Sequence, residues 1–219
     1  EEKLEWMRTF VRTEIMPLEV VPMSADRFWH LAAPLMDEVK RRGLWAAHLG
    51  PELGGQGFGQ VKLGLMHEIL GECFYAPVVF GNNAPDSGNA ELIAIAGTEE
   101  QKEKWLWPLL EGKIRSAFSM TEPGAGADPT MIQTRAERVG DEWVIKGHKW
   151  FISNAGVSDF MIVMAVTNPD VHPYQRMSMI LVPSNTRGVK VLRNIGTMAE
   201  PEHPLDQPGG HAEVVYEDV

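Results

Sequence analysis

The spacing of apolar residues changes near position 113, and this change constrains the fold more than any other feature of the sequence. In the first part, apolar side chains recur every three or four positions, as Leu4, Met7 and Val11 do. This spacing is typical of helices that bury one face. In the second part, short apolar runs are separated by turn residues, as in β-strands. The sequence therefore predicts an α+β fold, with an N-terminal α-helical domain over residues 1–113 and a β domain over residues 114–219.

Capping residues and prolines predict where helices of the first part begin and end. Thr98 and Gln101 have the spacing of a Thr-x-x-Gln capping box, so we expect a helix to begin directly after Thr98. Pro17 is expected to end the first helix. Pro34 is tolerated best in a first helical turn, so we expect it to delay the start of the second helix. Gly43 fits the position that follows the last turn of that helix.

Short strands follow one another in the second part without helical patterns between them. Strand-like runs occupy residues 150–153, 160–166 and 177–182. Gly140 and Asp141 interrupt two further runs, and such a pair is typical of a hairpin turn. Strands at this spacing predict an antiparallel β-sandwich or barrel, which we expect to be incomplete at the end of this chain.

Composition and charge exclude several classes of protein. The formal net charge is −10 over 219 residues, which argues against a nucleic-acid binder, because such proteins present a basic surface. The longest apolar run, residues 160–166, is much shorter than the ~20 residues of a membrane-spanning helix. Cys73 is the single cysteine, and no His or Cys cluster has metal-ligand spacing. We therefore expect no membrane span, no metal site and a reducing compartment, either the cytoplasm or, in a eukaryote, the mitochondrial matrix.

The segment from residue 118 to residue 128, FSMTEPGAGAD, is the most unusual in the chain. Its small residues leave backbone N–H groups unshielded, as in turns that bind anions such as a pyrophosphate. The segment is not a P-loop, because no Lys-Ser/Thr pair follows it. It is not a dinucleotide fingerprint either, because Pro129 occupies the third glycine position. From the residues alone, a tight structural turn and a phosphate-binding turn both remain open.

A second segment, HKWFISNAG at residues 148–156, places two aromatic residues next to each other and a hydroxyl shortly after them. It has two interpretations. It can be a strand of the hydrophobic core, or it can be a site in which Phe151 covers a flat ring while Ser153 forms a hydrogen bond to the ring edge.

Together, the two segments resemble the flavin-binding pair of the acyl-CoA dehydrogenase family. The resemblance rests on TEPGAGAD at residues 121–128 and WFISN at residues 150–154, and it is supported by matches in the same order over residues 43–57 and 97–118. It implies bound FAD, an N-terminal helical domain and a middle β domain. It also implies oxidation of an acyl-CoA substrate to enoyl-CoA, electron-transfer flavoprotein or a similar electron acceptor, and a homodimer or homotetramer.

The resemblance also implies a set of cofactor-binding residues. Phe151 stands where the family usually has Trp against the isoalloxazine ring, and Ser153 stands where it has Thr at the flavin N5 edge. Ala127 replaces the usual Ser, so that only its backbone remains to bind the acyl-thioester substrate. The full set of implied cofactor contacts is Phe118, Met120, Thr121, Gly126, Ala127, Phe151, Ile152 and Ser153.

No catalytic base is assigned. The reaction needs a carboxylate that reaches the α-proton of the substrate, and the family's glutamate usually comes from a second helical domain, which we expect to be absent from a chain that ends at Val219. Glu122 is a poor candidate, because its place in the glycine-rich turn favours a turn-stabilising role. Two alternatives remain open: a flavin monooxygenase or acyl-CoA oxidase of the same fold, and a non-catalytic module that binds CoA or a partner protein.

Overall fold

The chain folds as two compact units, Glu1–Lys113 and Ile114–Val219. The computed structural model describes residues 1–21, 23–53, 55–198, 201–206 and 209–219. In these ranges the first unit consists of helices and the second contains a seven-stranded sheet. The expected α+β class, with helices first and strands second, is therefore confirmed.

The helical unit is built around amphipathic helices that share one core. Met7, Val11 and Ile15 are fully buried, as their spacing predicts, because they lie on one helical face. The α-helices are α1 (Glu2–Phe10), α2 (Ala25–Arg41), α3 (Gln60–Leu70), α4 (Ala76–Val79), α5 (Asp86–Ala96), α6 (Glu99–Gln101) and α7 (Trp107–Leu110). Turns of π-helix cover Val11–Ile15 and Lys102–Leu106, and 3₁₀ turns cover Met16–Val20 and Pro51–Leu53.

Capping decides where two of these helices begin. The predicted capping box is confirmed: the Thr98 side chain accepts from Gln101 N at 3.2 Å, and the Gln101 side chain accepts from Thr98 N at 2.9 Å. The expected start near Pro34 is wrong, because Pro34 lies inside α2. The Ser24 side chain accepts from Arg27 N at 3.3 Å and caps the helix ten residues earlier.

The second unit is a sheet with strand order β1-β4-β2-β3-β7-β6, and β5 also pairs with β4. A 3₁₀ turn at Pro129–Met131 precedes β2, and another at Pro173–Gln175 precedes β5. The strands are β1 (Ser116–Ser119), β2 (Arg135–Val139), β3 (Glu142–Ser153), β4 (Phe160–Val166), β5 (Met177–Pro183), β6 (Val189–Asn194) and β7 (His211–Tyr216).

The sheet is mixed, so the prediction of a purely antiparallel arrangement is wrong. β1 and the start of β2 run parallel to β4, while the other pairs are antiparallel. The β2–β3 hairpin lies between β1 and β4 in the chain, and a connection of this length allows the two strands to run in the same direction. The hairpin itself is confirmed, with Gly140 at φ 65° between the paired strands.

β4 forms the centre of this unit. All of its residues except Met164 are buried, and β4 pairs with β5 along one edge and with β1 and β2 along the other. This position explains the seven-residue apolar run, since a strand covered on both faces does not alternate with polar residues. Across the described parts of both units, no helix is long and apolar enough to cross a lipid bilayer.

Candidate functional site

The glycine-rich turn and the aromatic end of β3 lie side by side. Trp150 N donates to the carbonyl oxygen of Thr121 at 2.8 Å. The ammonium of Lys149 donates to the carbonyl oxygen of Met120 at 2.8 Å and to Glu122 Oε1 at 3.0 Å. Three hydrogen bonds from two adjacent residues therefore join β3 to the first part of the turn.

The buried Glu122 side chain stabilises the turn through hydrogen bonds. Its carboxylate accepts from the backbone N–H groups of Gln133 at 2.8 Å and Thr134 at 2.9 Å, in addition to Lys149. Burial alone would raise the pKa of Glu122, but the hydrogen bonds from Thr134 and Gln133 and the charge of Lys149 outweigh burial and lower the pKa. A carboxylate with these partners stabilises the turn and is not free to remove a proton from a substrate.

Lys149 is the fully buried partner of this pair. Its side chain is 0% exposed, compared with 7% for Glu122. Burial lowers the pKa of Lys149, although the neighbouring carboxylate of Glu122 opposes that shift. Buried charges are tolerated only when they are paired and hydrogen-bonded, and both of these groups meet that requirement.

The tip of the turn leaves backbone accessible. Glu122 and Ala125 exchange two backbone hydrogen bonds, of 3.0 and 3.1 Å. A Cβ atom added at Gly124 or Gly126 would meet nothing within 4 Å, so neither glycine is required by crowding within this chain. In the described part of the chain, the N–H groups of Gly126 and Ala127 donate to no carbonyl. The turn thus presents unshielded donors beside empty space, which fits an approaching anion.

A β-bulge directs the aromatic residues of β3 outward. Lys149 pairs with Val214 and Ile152 pairs with Ala212, so that two residues of β3 stand opposite one residue of β7. The bulge keeps Lys149 and Ile152 both buried. Phe151 adopts a left-handed φ of 55° and is 42% exposed. For a bulky residue this conformation is unfavourable, and such strain is concentrated at functional sites.

Ser153 follows the bulge on the same outward side as Phe151. Its hydroxyl lies 2.8 Å from Nδ1 of His211, the residue directly opposite on β7. The ring centroids of Phe151 and His211 are 6.5 Å apart. Ser153 is only partly buried, so its hydroxyl and the exposed Phe151 ring lie on the same side of β3.

Three other residues that the resemblance implies as cofactor contacts, Ile152, Met120 and Phe118, have side chains that are wholly or partly buried. Ile152 is 1% exposed and packs in the sheet core, and Met120 packs against a small buried cluster around Ala125, so we expect both to act through their backbone. Phe118 is half-buried on β1. Between described residues, no hydrogen bond joins Gly126 or Ala127 to the outward face of β3.

Sequence reasoning did not identify Lys149 and His211 as part of this arrangement. A signal existed for Lys149, because strand alternation from Ile145 places it on the buried face, where an ammonium needs a carboxylate partner. For His211 the sequence contains no such signal, since its pairing with Ser153 depends on the register of β7 and on the bulge.

A cavity of about 880 Å³ adjoins the turn. Glu122 and Gly124 line it together with the β2–β3 hairpin, including Lys146 and His148. Phe151 and Ser153 are not among its lining residues, so this cavity is separate from the aromatic face. Within the described ranges, no group of His, Cys, Asp and Glu side chains could hold a metal ion.

Comparison with known proteins identifies the relatives of this fold. The description "Acyl-CoA dehydrogenase, N-terminal domain" matches residues 1–113, and "Acyl-CoA dehydrogenase, middle domain" matches residues 117–219. The chain belongs to the acyl-CoA dehydrogenase family. Probable acyl-CoA dehydrogenase FadE2 from Mycobacterium tuberculosis is 40% identical over 87% of this chain and 47% of its own length.

Solved structures agree with this assignment. A protein from Mycobacterium abscessus aligns with the whole chain at a TM-score of 0.87 and 38% identity, and the alignment covers 57% of that protein. A glutaryl-CoA dehydrogenase from Mycobacterium smegmatis, in complex with FADH2, aligns with 99% of the chain and 52% of its own length at a TM-score of 0.68 and 26% identity. The chain therefore spans about half the length of these acyl-CoA dehydrogenase relatives.

Proposed function

We propose that this chain forms the flavin-binding part of an FAD-dependent dehydrogenase that oxidises acyl-CoA thioesters to enoyl-CoA. The observation that supports this proposal most strongly is the β-bulge, which leaves Phe151 exposed and places it close to the partly buried Ser153 near the end of β3. A flat aromatic ligand needs a face to stack on and a polar group at its edge. Membership of the acyl-CoA dehydrogenase family supports FAD as that ligand.

The residues of this chain suit two parts of FAD, the isoalloxazine ring and the pyrophosphate. The Phe151 side chain would cover the isoalloxazine ring, and the Ser153 hydroxyl would form a hydrogen bond at the N5 edge. The unshielded backbone N–H groups of Gly126 and Ala127 would bind the pyrophosphate, with the Thr121 hydroxyl beside them. The buried Lys149 would hold this turn against β3, so that the anion-binding and ring-binding parts keep a fixed relation.

FAD, when bound, supplies the acceptor for the hydride that leaves Cβ of the substrate while a base removes the proton from Cα. The groups of this chain would bind FAD and the substrate and orient them toward each other. Phe151 would exclude water from one face of the ring, and Ser153 would stabilise charge at its edge. The backbone carbonyl of Ala127 would remain for a contact with the acyl-CoA substrate, because the alanine side chain offers no hydrogen bond. We assign no base to this chain, since the Glu122 carboxylate is held by three donors.

Because no base is assigned to this chain, we expect the chain by itself to be inactive. The proposal is therefore tested by an anaerobic titration, with acyl-CoA, of the parent protein that contains it. We expect a yellow protein whose visible flavin absorbance bleaches as substrate is added. A yellow protein that does not bleach with any acyl-CoA would contradict the dehydrogenase activity, and a colourless protein that binds no added FAD would contradict the flavin site. The proposal extends to two partners, electron-transfer flavoprotein or a similar electron acceptor and a second copy of the chain in a homodimer or homotetramer.

A further inference from the structure

The imidazole of His211 has a specific contact that the proposed cofactor assignments do not use. Its Nδ1 atom lies 2.8 Å from Oγ of Ser153. We propose that His211 is a positioning residue that sets the direction of the Ser153 hydroxyl toward the flavin ring. This inference rests on the proposed function, because that function supplies the partner on the other side of the hydroxyl.

The backbone around His211 holds the imidazole in place. Ser153 and His211 are direct partners in the antiparallel pairing of β3 with β7. The carbonyl oxygen of His211 accepts from Ile195 N at 2.7 Å, and the carbonyl oxygen of Gly210 accepts from Asn154 N at 2.9 Å. These contacts fix the start of β7 on both sides, and the ring therefore approaches Ser153 from a defined direction.

Glu213, the acidic residue nearest to His211 on β7, contacts other side chains. Glu213 accepts from Arg193 Nε at 2.8 Å, and its other oxygen lies 2.7 Å from His148 Nε2. Among the described residues, the His211 side chain forms its hydrogen bond with Ser153, whereas the two Glu213 oxygens contact Arg193 and His148.

The chemistry of the pair suits a ligand that changes its hydrogen-bonding character. A serine hydroxyl has one proton and two lone pairs, and an imidazole nitrogen either donates or accepts. If His211 Nδ1 donates to Ser153, the hydroxyl proton is free to point at the ring edge. If Nδ1 accepts, the hydroxyl offers lone pairs to the ring. Oxidised flavin accepts a hydrogen bond at N5, whereas reduced flavin donates one, and so the pair can serve both states.

Four variants of the purified protein test the inference through FAD affinity and flavin midpoint potential: S153A, H211L, H211N and S153A/H211L. We expect S153A to weaken FAD binding about fivefold, the effect of losing one hydrogen bond. H211L should weaken it about threefold and shift the potential in the same direction as S153A. H211N should stay close to the unaltered protein, because the asparagine amide can replace Nδ1. The double variant should match S153A, since His211 acts only through Ser153.

Two results would overturn the role of His211 while leaving the flavin site intact. The first is that H211L keeps the affinity and potential of the unaltered protein while S153A binds FAD more weakly. The second is that the effect of the double variant equals the product of the two single effects. Wild-type behaviour of S153A would instead contradict the proposed flavin contact, and the role of His211 with it. If H211L does not fold, H211F takes its place, because it keeps a ring at this strand position without a hydrogen-bonding nitrogen.

Discussion

Lys149 Nζ lies 3.0 Å from Glu122 Oε1, and this buried ion pair joins the glycine-rich turn to β3. The two residues are 27 positions apart in the chain. The same ammonium also donates to the carbonyl oxygen of Met120, so a single side chain fixes both the backbone and the carboxylate of the turn. The geometry of the proposed pyrophosphate site depends on this pair.

Replacing Lys149 with methionine should destabilise the protein strongly. The K149M variant leaves the Glu122 carboxylate buried without its cation, and loss of one partner from a buried pair costs about 3–5 kcal/mol. Chemical denaturation followed by circular dichroism measures the free energy of unfolding. K146M is a matched control on the same strand, because Lys146 forms an exposed pair with Asp218 at 2.8 Å and exposed ion pairs contribute little to stability. Equal losses in the two variants would show that the buried pair has no special role.

The pH dependence of stability should report the lowered pKa of Glu122. A carboxyl whose pKa is lower in the folded state stabilises the protein fully above its unfolded pKa, near 4.3, and loses that contribution as the pH falls through the folded pKa. The stability difference between the unaltered protein and E122Q should therefore be constant at neutral pH and shrink below about pH 4. A difference that does not change with pH down to the acid limit of folding would contradict this assignment.

The Cys73 thiol should be unreactive in the native protein. It is buried, and burial raises its pKa to about 11, so the reactive thiolate is scarce at pH 8. We expect no modification by Ellman's reagent until denaturant is added, after which one thiol per chain reacts. Rapid reaction in the native protein would contradict the burial of Cys73.

Removing the cap of α6 should weaken the helical unit modestly. T98A deletes the side chain that accepts from Gln101 N, and loss of such a cap costs about 1 kcal/mol. The midpoint of chemical denaturation measures this change. T130A is a control, because the Thr130 hydroxyl also forms a local side-chain hydrogen bond, which it donates to Asp128 Oδ1 at 2.7 Å, but Thr130 lies in a 3₁₀ turn. A T98A variant as stable as the unaltered protein would show that the box does not contribute.

The sequence predicts local features well where one short signal is sufficient. The Thr98 box, the hairpin at Gly140 and the apolar strand β4 each depend on residues close together in the chain, and each is present in the structure. The start of α2 lies ten residues before Pro34, because the Ser24 side chain caps the helix and Pro34 is accommodated inside it.

Features that depend on pairing between distant segments could not be predicted from local patterns. The parallel pairing of β1 with β4 joins strands that are separated by a hairpin. The outward position of Phe151 follows from a bulge that is defined only against β7. Its proposed role, like that of Ser153, rests on resemblance to the acyl-CoA dehydrogenase family, whereas the contact of Ser153 with His211 depends on the register of the sheet.

The affinity of the F151A variant for FAD, compared with that of W143A, tests the flavin site most directly. Both aromatic residues lie on β3 and are similarly exposed, 42% for Phe151 and 45% for Trp143, but only Phe151 stands at the bulge beside Ser153. We expect F151A to fold normally and to bind FAD about tenfold more weakly, the effect of losing one aromatic contact, while W143A binds it as the unaltered protein does. Unchanged FAD affinity in F151A would contradict the site.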